Sequence, residues 1–267
     1  MGLTFIGLGL HDARDISLKG LEACRAAQEL FFETYTSRMG GAGLEQLEAL
    51  YGKPITPVTR QDVEDGTRIL DAAKRGDVCF LAVGDSMAAT THVELRVRAA
   101  KLGIATRVIH GASVLVAVSG LLGLQSYKFG RSTTLAFPHG NYLAESPYDH
   151  LVRNLQHGLH TLVLLDLDAE RGRYMTATEG LQLLLEIGKR RADATMRPET
   201  LVCVVARAGS DAPLLRAGAL GDLLREDFGP PLHSIVVPGE LHFLEEEALK
   251  VLAGLDRAQG VARPHDR

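Results

Sequence analysis

Residues 78–92 read VCFLAVGDSMAATTH. Val78–Val83 is an apolar run short enough to be a buried strand, and the next residues are small or loop-forming. Thr90 and Thr91 can start a helix at His92, which Gly103 closes, and Thr106–His110 reads as the following strand. A strand that leads through a glycine-containing loop into a helix and then a new strand is the repeating unit of an α/β fold.

The same pattern extends outward in both directions. Leu3–Leu10 and Glu29–Tyr35 precede it as predicted strands, and Thr133–Phe137, Thr161–Leu167, Leu201–Ala206 and Ser234–Val237 follow it. Ser17 is placed to cap a helix through Arg25, Asp62 one through Lys74 before Gly76, and Leu241–Leu252 carries a last helical pattern. The segment between Ile109 and Gly130, rich in Gly and Ser, joins the two series of strands and is the expected domain seam. The apolar pattern fades after Leu252, so 254–267 reads as a flexible tail.

The chain has 267 residues, which fits one large α/β unit or two ordinary domains. With 46% hydrophobic and 23% charged residues it can bury a sizeable core, which excludes wholesale disorder and a small disulfide scaffold. A formal charge of −4 provides no global field for nucleic acid. Cys24, Cys79 and Cys203 form no CxxC or zinc spacing, and Cys79 and Cys203 fall inside apolar strands as expected inert thiols. No apolar run approaches the ~18 residues of a membrane span, and the start lacks the features of a signal peptide. These features give a cytoplasmic reading, with no membrane, direct nucleic acid or metal.

Gly7-Leu8-Gly9 begins like a dinucleotide fingerprint, but its third glycine would fall at Asp12. That leaves an NAD-dependent reductase weakly supported. GxxxxGK[ST], HExxH and GxSxG are absent. Four strand ends do carry ligand-compatible residues: Gly9-Leu10-His11, Gly84 to His92, Gly111-Ala112-Ser113 and Arg207-Ala208-Gly209-Ser210. The carboxyl ends of strands frame ligand crevices in open α/β sheets, and Asp85 could accept a hydrogen bond from a ribose hydroxyl or an ammonium group. Each stretch also reads as ordinary turn chemistry. His92 and His110 read as a helix-start residue or satisfied core groups, whereas His233, beyond Pro230-Pro231, is expected to be exposed. Glu245-Glu246-Glu247 reads as a solvated helix start favoured by the helix dipole.

Taken together, MGLTFIGLGLHDARDIS (1–17), ETYTS (33–37), GDSMAATTH (84–92), HGASV (110–114), GLQSYKFG (123–130), GRYMT (172–176), VARAGS (205–210) and PGELHFLEEEAL (238–249) closely resemble the diphthine synthase family. That family lies within the tetrapyrrole-methylase-like S-adenosylmethionine-dependent methyltransferases. The resemblance runs from Met1 to about Leu252. It implies an α/β fold of two α/β domains, 1–113 and 114–253, with the methyl donor in the cleft between them. It also implies a homodimer, S-adenosylmethionine as donor with S-adenosylhomocysteine as product, and translation elongation factor 2 as protein substrate. The acceptor is the amine of a 3-amino-3-carboxypropyl group on its modified histidine, with trimethylation expected. The family's cofactor contacts fall on Leu10, Asp85, Ala88, Ser113, Val114, Leu165, Ala208 and His233. Where the family has proline in GDPM, this chain has Ser86.

Positioning alone can carry this chemistry. An amine of pKa near 8 is about 10% neutral at pH 7, so supplying the nucleophile costs only about 1.4 kcal/mol. In-line placement contributes as much as ~7–11 kcal/mol, against roughly 3–5 for a general base. No dedicated catalytic acid or base is therefore expected. A tetrapyrrole (precorrin-type) C-methyltransferase and a non-catalytic, S-adenosylmethionine-responsive dimeric binding module are the competing readings.

Overall fold

A computed structural model describes residues 1–140, 142–169 and 171–255. The chain divides into two compact units, Met1–Val114 with Asp168–Gly172, and Leu115–Leu167 with Arg173–Arg267.

The first unit runs β1 (Gly2–Gly7), α1 (Leu18–Ala26), β2 (Glu29–Glu33), α2 (Leu44–Tyr51), β3 (Thr56–Val58), α3 (Arg60–Asp65), α4 (Thr67–Arg75), β4 (Asp77–Ala82), α5 (His92–Lys101) and β5 (Ala105–Ile109). Its five strands are all parallel, in the order β3-β2-β4-β1-β5. Parallel strands covered on both faces should be apolar at every position, and the two-residue period sorts them into two cores. Leu3, Phe5, Phe31, Val78 and Phe80 pack with Ile69, Leu70, Leu95 and Ala99 of α4 and α5. Ile6, Leu30, Phe32, Cys79 and Leu81 pack with Cys24, Leu47 and Tyr51 of α1 and α2.

In the second unit the elements are α6 (Val114–Leu122, whose first residue belongs to the first unit), β6 (Thr133–Leu135), α7 (Ser146–Gln156), β7 (Thr161–Leu165), β8 (Leu167–Asp168, whose last residue belongs to the first unit), β9 (Arg173–Tyr174), α8 (Ala177–Arg191), β10 (Leu201–Ala206), β11 (Leu214–Ala219), α9 (Leu220–Leu223), β12 (His233–Val237) and α10 (Phe243–Ala253). Its five-stranded sheet has the order β11-β10-β12-β7-β6. Only β6–β7 is parallel and the other pairs are antiparallel. Val163, Val202, Val204, Ile235 and Val237 face a core completed by Tyr148, Leu151, Leu181 and Leu184 from α7 and α8.

Several expectations are corrected. The single helix from Asp62 to Lys74 is two helices, because Gly66 turns the chain with φ 67°. Thr59 caps α3, and Asp62 is the reciprocal partner of that capping box. Ser17 caps α1 as expected. The last helix starts at Phe243 because the His242 side chain caps it, and ends at Gly254, φ 70°. The expected tail 254–267 lies, from residue 256 onward, outside the described residues. Cys24, Cys79 and Cys203 are free and buried, and burial pushes the Cys203 thiol up.

Glu245 is not solvated. It is 1% exposed and its carboxylate meets the Lys128 ammonium at 2.5 Å. The backbone N–H groups of Gln125 and His242 donate to it, each at 2.8 Å, and His160 Nε2 at 3.0 Å. Because His160 Nδ1 accepts from the Gly239 N–H, the ring proton sits on Nε2, facing Glu245. Burial raises the Glu245 pKa, but the ammonium, the two backbone donors and the imidazole outweigh it and hold the carboxyl at about 2. Burial lowers the His160 pKa below 6.5, against the pull of Glu245.

Both folded-state values are depressed, so the stability they confer is present above the unfolded pKa values and is lost on acidification. We expect stability to begin falling below about pH 6.5, as His160 of the unfolded chain takes a proton that the folded protein resists. It continues to fall towards pH 2, with Glu245 contributing about 3 kcal/mol of the loss. Denaturant unfolding across this pH range measures it. Glu245→Gln should be destabilised at pH 7 and show a flatter acid limb.

Candidate functional site

At the carboxyl ends of the first sheet, backbone meets backbone. A Cβ on Gly7 would lie 2.5 Å from the Gly111 nitrogen and 2.6 Å from the Gly84 oxygen, and one on Gly111 would lie 2.5 Å from that same oxygen. Gly9 and Gly84 form a reciprocal bridge, with N···O distances of 3.2 and 2.6 Å. The Gly7-Leu8-Gly9 pattern is thereby explained by close packing of strand ends, not by a dinucleotide fingerprint.

Each loop leaving these strands is organised by a carboxylate. After β1, Asp15 Oδ2 accepts the N–H groups of Leu10, His11 and Asp12 at 3.2, 2.6 and 3.2 Å. After β2, the buried Glu33 accepts those of Tyr35 and Thr36 at 3.1 and 3.0 Å, and the Thr36 hydroxyl also donates to it. After β4, Asp85 Oδ1 accepts from Met87 N–H at 2.9 Å. Its Oδ2 accepts from His110 Nδ1 at 2.7 Å and from Gly111 N–H at 3.2 Å. Asp85 therefore ties the loop after β4 to the loop after β5, and Gly9 ties Leu10 to the same place.

Within GDSMAATTH the turn closes when Ala88 N–H donates to the Asp85 carbonyl at 3.1 Å, and Ala89 adopts φ 55°. His92 is fully buried and its Nδ1 donates to the Ser86 carbonyl at 2.9 Å. The Tyr35 hydroxyl lies 3.4 Å from His92 Nε2. Burial and the neighbouring Glu33 charge push the Tyr35 phenol up to about 12. The Ser86 hydroxyl is buried without a partner among the described residues.

The second unit supplies its own strand-end cluster. Register pairs Ala206 with His233 and Leu164 with Ser234, and Leu135 with Leu165. Leu165, His233 and Ala206 thus share one end of the sheet, with Ala208 two residues further along. His233 is buried, not exposed as the sequence suggested. Its Nδ1 accepts from the Ala177 N–H at the start of α8 and its Nε2 donates to the Pro230 carbonyl, each at 3.1 Å, while burial lowers its pKa. Both ring nitrogens are engaged within the protein, which leaves no lone pair for a general base. Arg207, at φ 53°, fixes the adjoining loop through the Phe228 and Pro230 carbonyls.

All the sequence-selected residues thus lie at strand ends. Leu10, Asp85, Ala88, Ser113 and Val114 follow strands of the first unit, and Leu165, Ala208 and His233 cluster on the second sheet. Sequence reasoning missed Asp15 and Glu33, although the acid three residues after Asp12 was a legible capping signal.

The family model described as Tetrapyrrole (Corrin/Porphyrin) Methylases matches residues 2–224. Diphthine synthase of Methanocella arvoryzae is 53% identical over 256 residues, covering 95% of this chain and 98% of the relative. The chain belongs to the diphthine synthase family. That of Methanothermobacter thermautotrophicus is 47% identical over 256 residues, 96% of this chain and 97% of its own. A crystal structure of diphthine synthase superposes with a TM-score of 0.88 at 37% identity, covering 96% of this chain and 97% of that one. Membership of the diphthine synthase family makes the chain an S-adenosylmethionine-dependent methyltransferase of diphthamide biosynthesis.

Two substitutions test the geometry. Ser86 occupies the second position of the turn, where proline presets φ, so Ser86→Pro should raise stability by about 0.4–1 kcal/mol in denaturant unfolding. Gly111→Ala should lower it by about 1–3 kcal/mol, because its new methyl meets unyielding backbone.

Proposed function

We propose that this methyltransferase acts on the amine of the 3-amino-3-carboxypropyl group carried by the modified histidine of translation elongation factor 2, adding three methyl groups to give diphthine. The observation that carries the reading is identity of 53% to a diphthine synthase over nearly the whole of both chains. It acts as a homodimer in the cytoplasm.

The strand ends suit the methyl donor. S-adenosylmethionine is a flat nucleoside joined to an amino acid through a sulfonium, and it supplies an electrophilic methyl group whose transfer leaves S-adenosylhomocysteine. A sulfonium offers no hydrogen-bond donor, so shape and fixed charge must hold it. At Gly84, where a Cβ would meet open space, the backbone is bare of a side chain, which lets a flat ligand approach. Leu10, Ala88 and Val114 would give apolar contact, and Asp85 and Ser113 polar contact. The family resemblance also implies donor contacts at Leu165, Ala208 and His233.

What these residues do is hold and orient. His233 stays neutral and engaged, and Asp85 braces two loops. The acceptor amine supplies its own lone pair, and its proton passes to water before each round. Placement is therefore the main source of rate, and quaternisation ends the series because no lone pair remains.

The test is mass spectrometry of elongation factor 2 bearing the 3-amino-3-carboxypropyl histidine, after reaction with the enzyme and S-adenosylmethionine. Three increments of about 14 Da on that histidine are expected. Methylation of a precorrin with the factor left unchanged would overturn the reading, as would donor binding with no product. Asp85→Ala should weaken donor affinity about tenfold or more in calorimetry, through the uncoupled loops.

A further inference from the structure

His92 belongs to no cofactor or substrate contact assigned above, yet both of its ring nitrogens are engaged beside the turn after β4. It is wholly buried, and its ring stands edge-on to Phe80 with centroids 4.9 Å apart. An aliphatic side chain would fill this space without the desolvation cost of two ring nitrogens. That cost is offset only because both nitrogens find partners: Nδ1 donates to the Ser86 carbonyl at 2.9 Å and Nε2 faces the Tyr35 hydroxyl at 3.4 Å.

The Ser86 carbonyl is the hinge of the Asp85–Ala88 turn. Besides His92, it is held by the Thr90 hydroxyl at 3.2 Å, and that hydroxyl also accepts from the His92 N–H at 3.3 Å. The turn is followed at once by Ala89 in the left-handed region, φ 55°, a conformation that persists only when its surroundings impose it. Asp85 braces the turn from the side of β5. Among the described residues, His92 braces the Ser86 carbonyl through its ring, with Tyr35 behind it.

We infer that His92 is a positioning residue for methyl transfer: its Nδ1–H fixes the Ser86 carbonyl and thereby the Asp85–Ala88 turn that contacts the methyl donor. The inference rests on the assignment of Asp85 and Ala88 to the donor site. Tyr35 sets the ring by donating to Nε2, which leaves the ring proton on Nδ1.

Asparagine and glutamine separate this role from mere packing. The asparagine amide nitrogen stands the same number of bonds from Cβ as Nδ1, whereas that of glutamine stands where Nε2 was. His92→Asn therefore keeps the bond to Ser86 and His92→Gln loses it. Two readouts are needed. Hydrogen exchange of the 85–91 amides, which requires no donor, should show the loop deprotected in His92→Gln and protected as in the wild type in His92→Asn. Donor affinity by calorimetry should weaken about tenfold in His92→Gln, as the competent loop falls to about a tenth of the population, and stay within about threefold in His92→Asn. At saturating donor, kcat should be nearly equal in the two variants.

Equal loop protection in the two variants would overturn the inference, whatever the donor does. Deprotection in His92→Gln with unchanged donor affinity would leave His92 as the loop's brace and overturn instead the assignment of Asp85 and Ala88 to the donor site.

Discussion

A strand that ends at the rim of a parallel sheet leaves backbone N–H groups with no ladder to join, and each must find an acceptor. In the first unit the acceptors are carboxylates. Asp15 takes three N–H groups after β1, Glu33 takes two after β2, and Asp85 takes one from its own turn and one from the loop after β5. Without them the loops would be free to solvate their own backbone, and no ligand-sized surface would be defined. Bonds from neutral donors to an ionised acceptor are among the stronger ones available, so a single side chain can fix several residues of loop.

Close approach of the glycines is the complementary constraint. Carboxylates pull the loops down onto the strand ends, and the absence of Cβ atoms at Gly7 and Gly111 lets them come within van der Waals distance of neighbouring backbone. The two devices depend on each other. A methyl group at Gly111 would push its N–H away from Asp85, and loss of Asp85 would leave the gap between Gly7 and Gly111 with nothing drawing it closed. The same mutual support separates this end of the sheet from a dinucleotide fold, where the corresponding glycines serve a pyrophosphate at a helix N-terminus.

Most of the first sheet was legible in the sequence because parallel strands buried on both faces read as apolar runs: β2 and β4 each contain one and Thr4 alone interrupts that of β1, whereas the edge strand β5, ATRVI, has Arg107 exposed and the three-residue edge strand β3 was missed. The second was legible only in part. β11, LLRAGA, has Arg216 exposed at its centre and pairs on one side only, so its pattern lacks the run that marked the others. Its antiparallel pairing also contradicts a reading in which strands always feed helices. Capping chemistry misled at Asp62, since the acid of a capping box resembles a cap until the Thr three residues earlier is recognised. Histidines and glutamates were the least legible of all. Glu245 and His233 look like surface groups by type, and only tertiary partners, Lys128 and His160 for one and the α8 terminus for the other, explain why they are inside. At the strand ends, the small residues of the loops were visible, but which acid held which loop depended on pairings up to 26 residues apart.

Those pairings also decide what kind of catalyst this rim can be. A histidine with both nitrogens engaged, or a carboxylate that already accepts two or three N–H groups, is poorly placed to exchange protons with a substrate. Freeing it would break the loop it holds. Such a group can still exert a field, because hydrogen-bonded carboxylates keep their charge and their position. For a sulfonium, which neither donates nor accepts an ordinary hydrogen bond, a fixed negative field and an apolar wall are attractions that a protein can offer. Under the proposed function, the features that stiffen the rim would suit a cationic donor, and rate would come from holding the donor and acceptor in line. Under the proposed function, the acceptor amine would need no more than water for its proton.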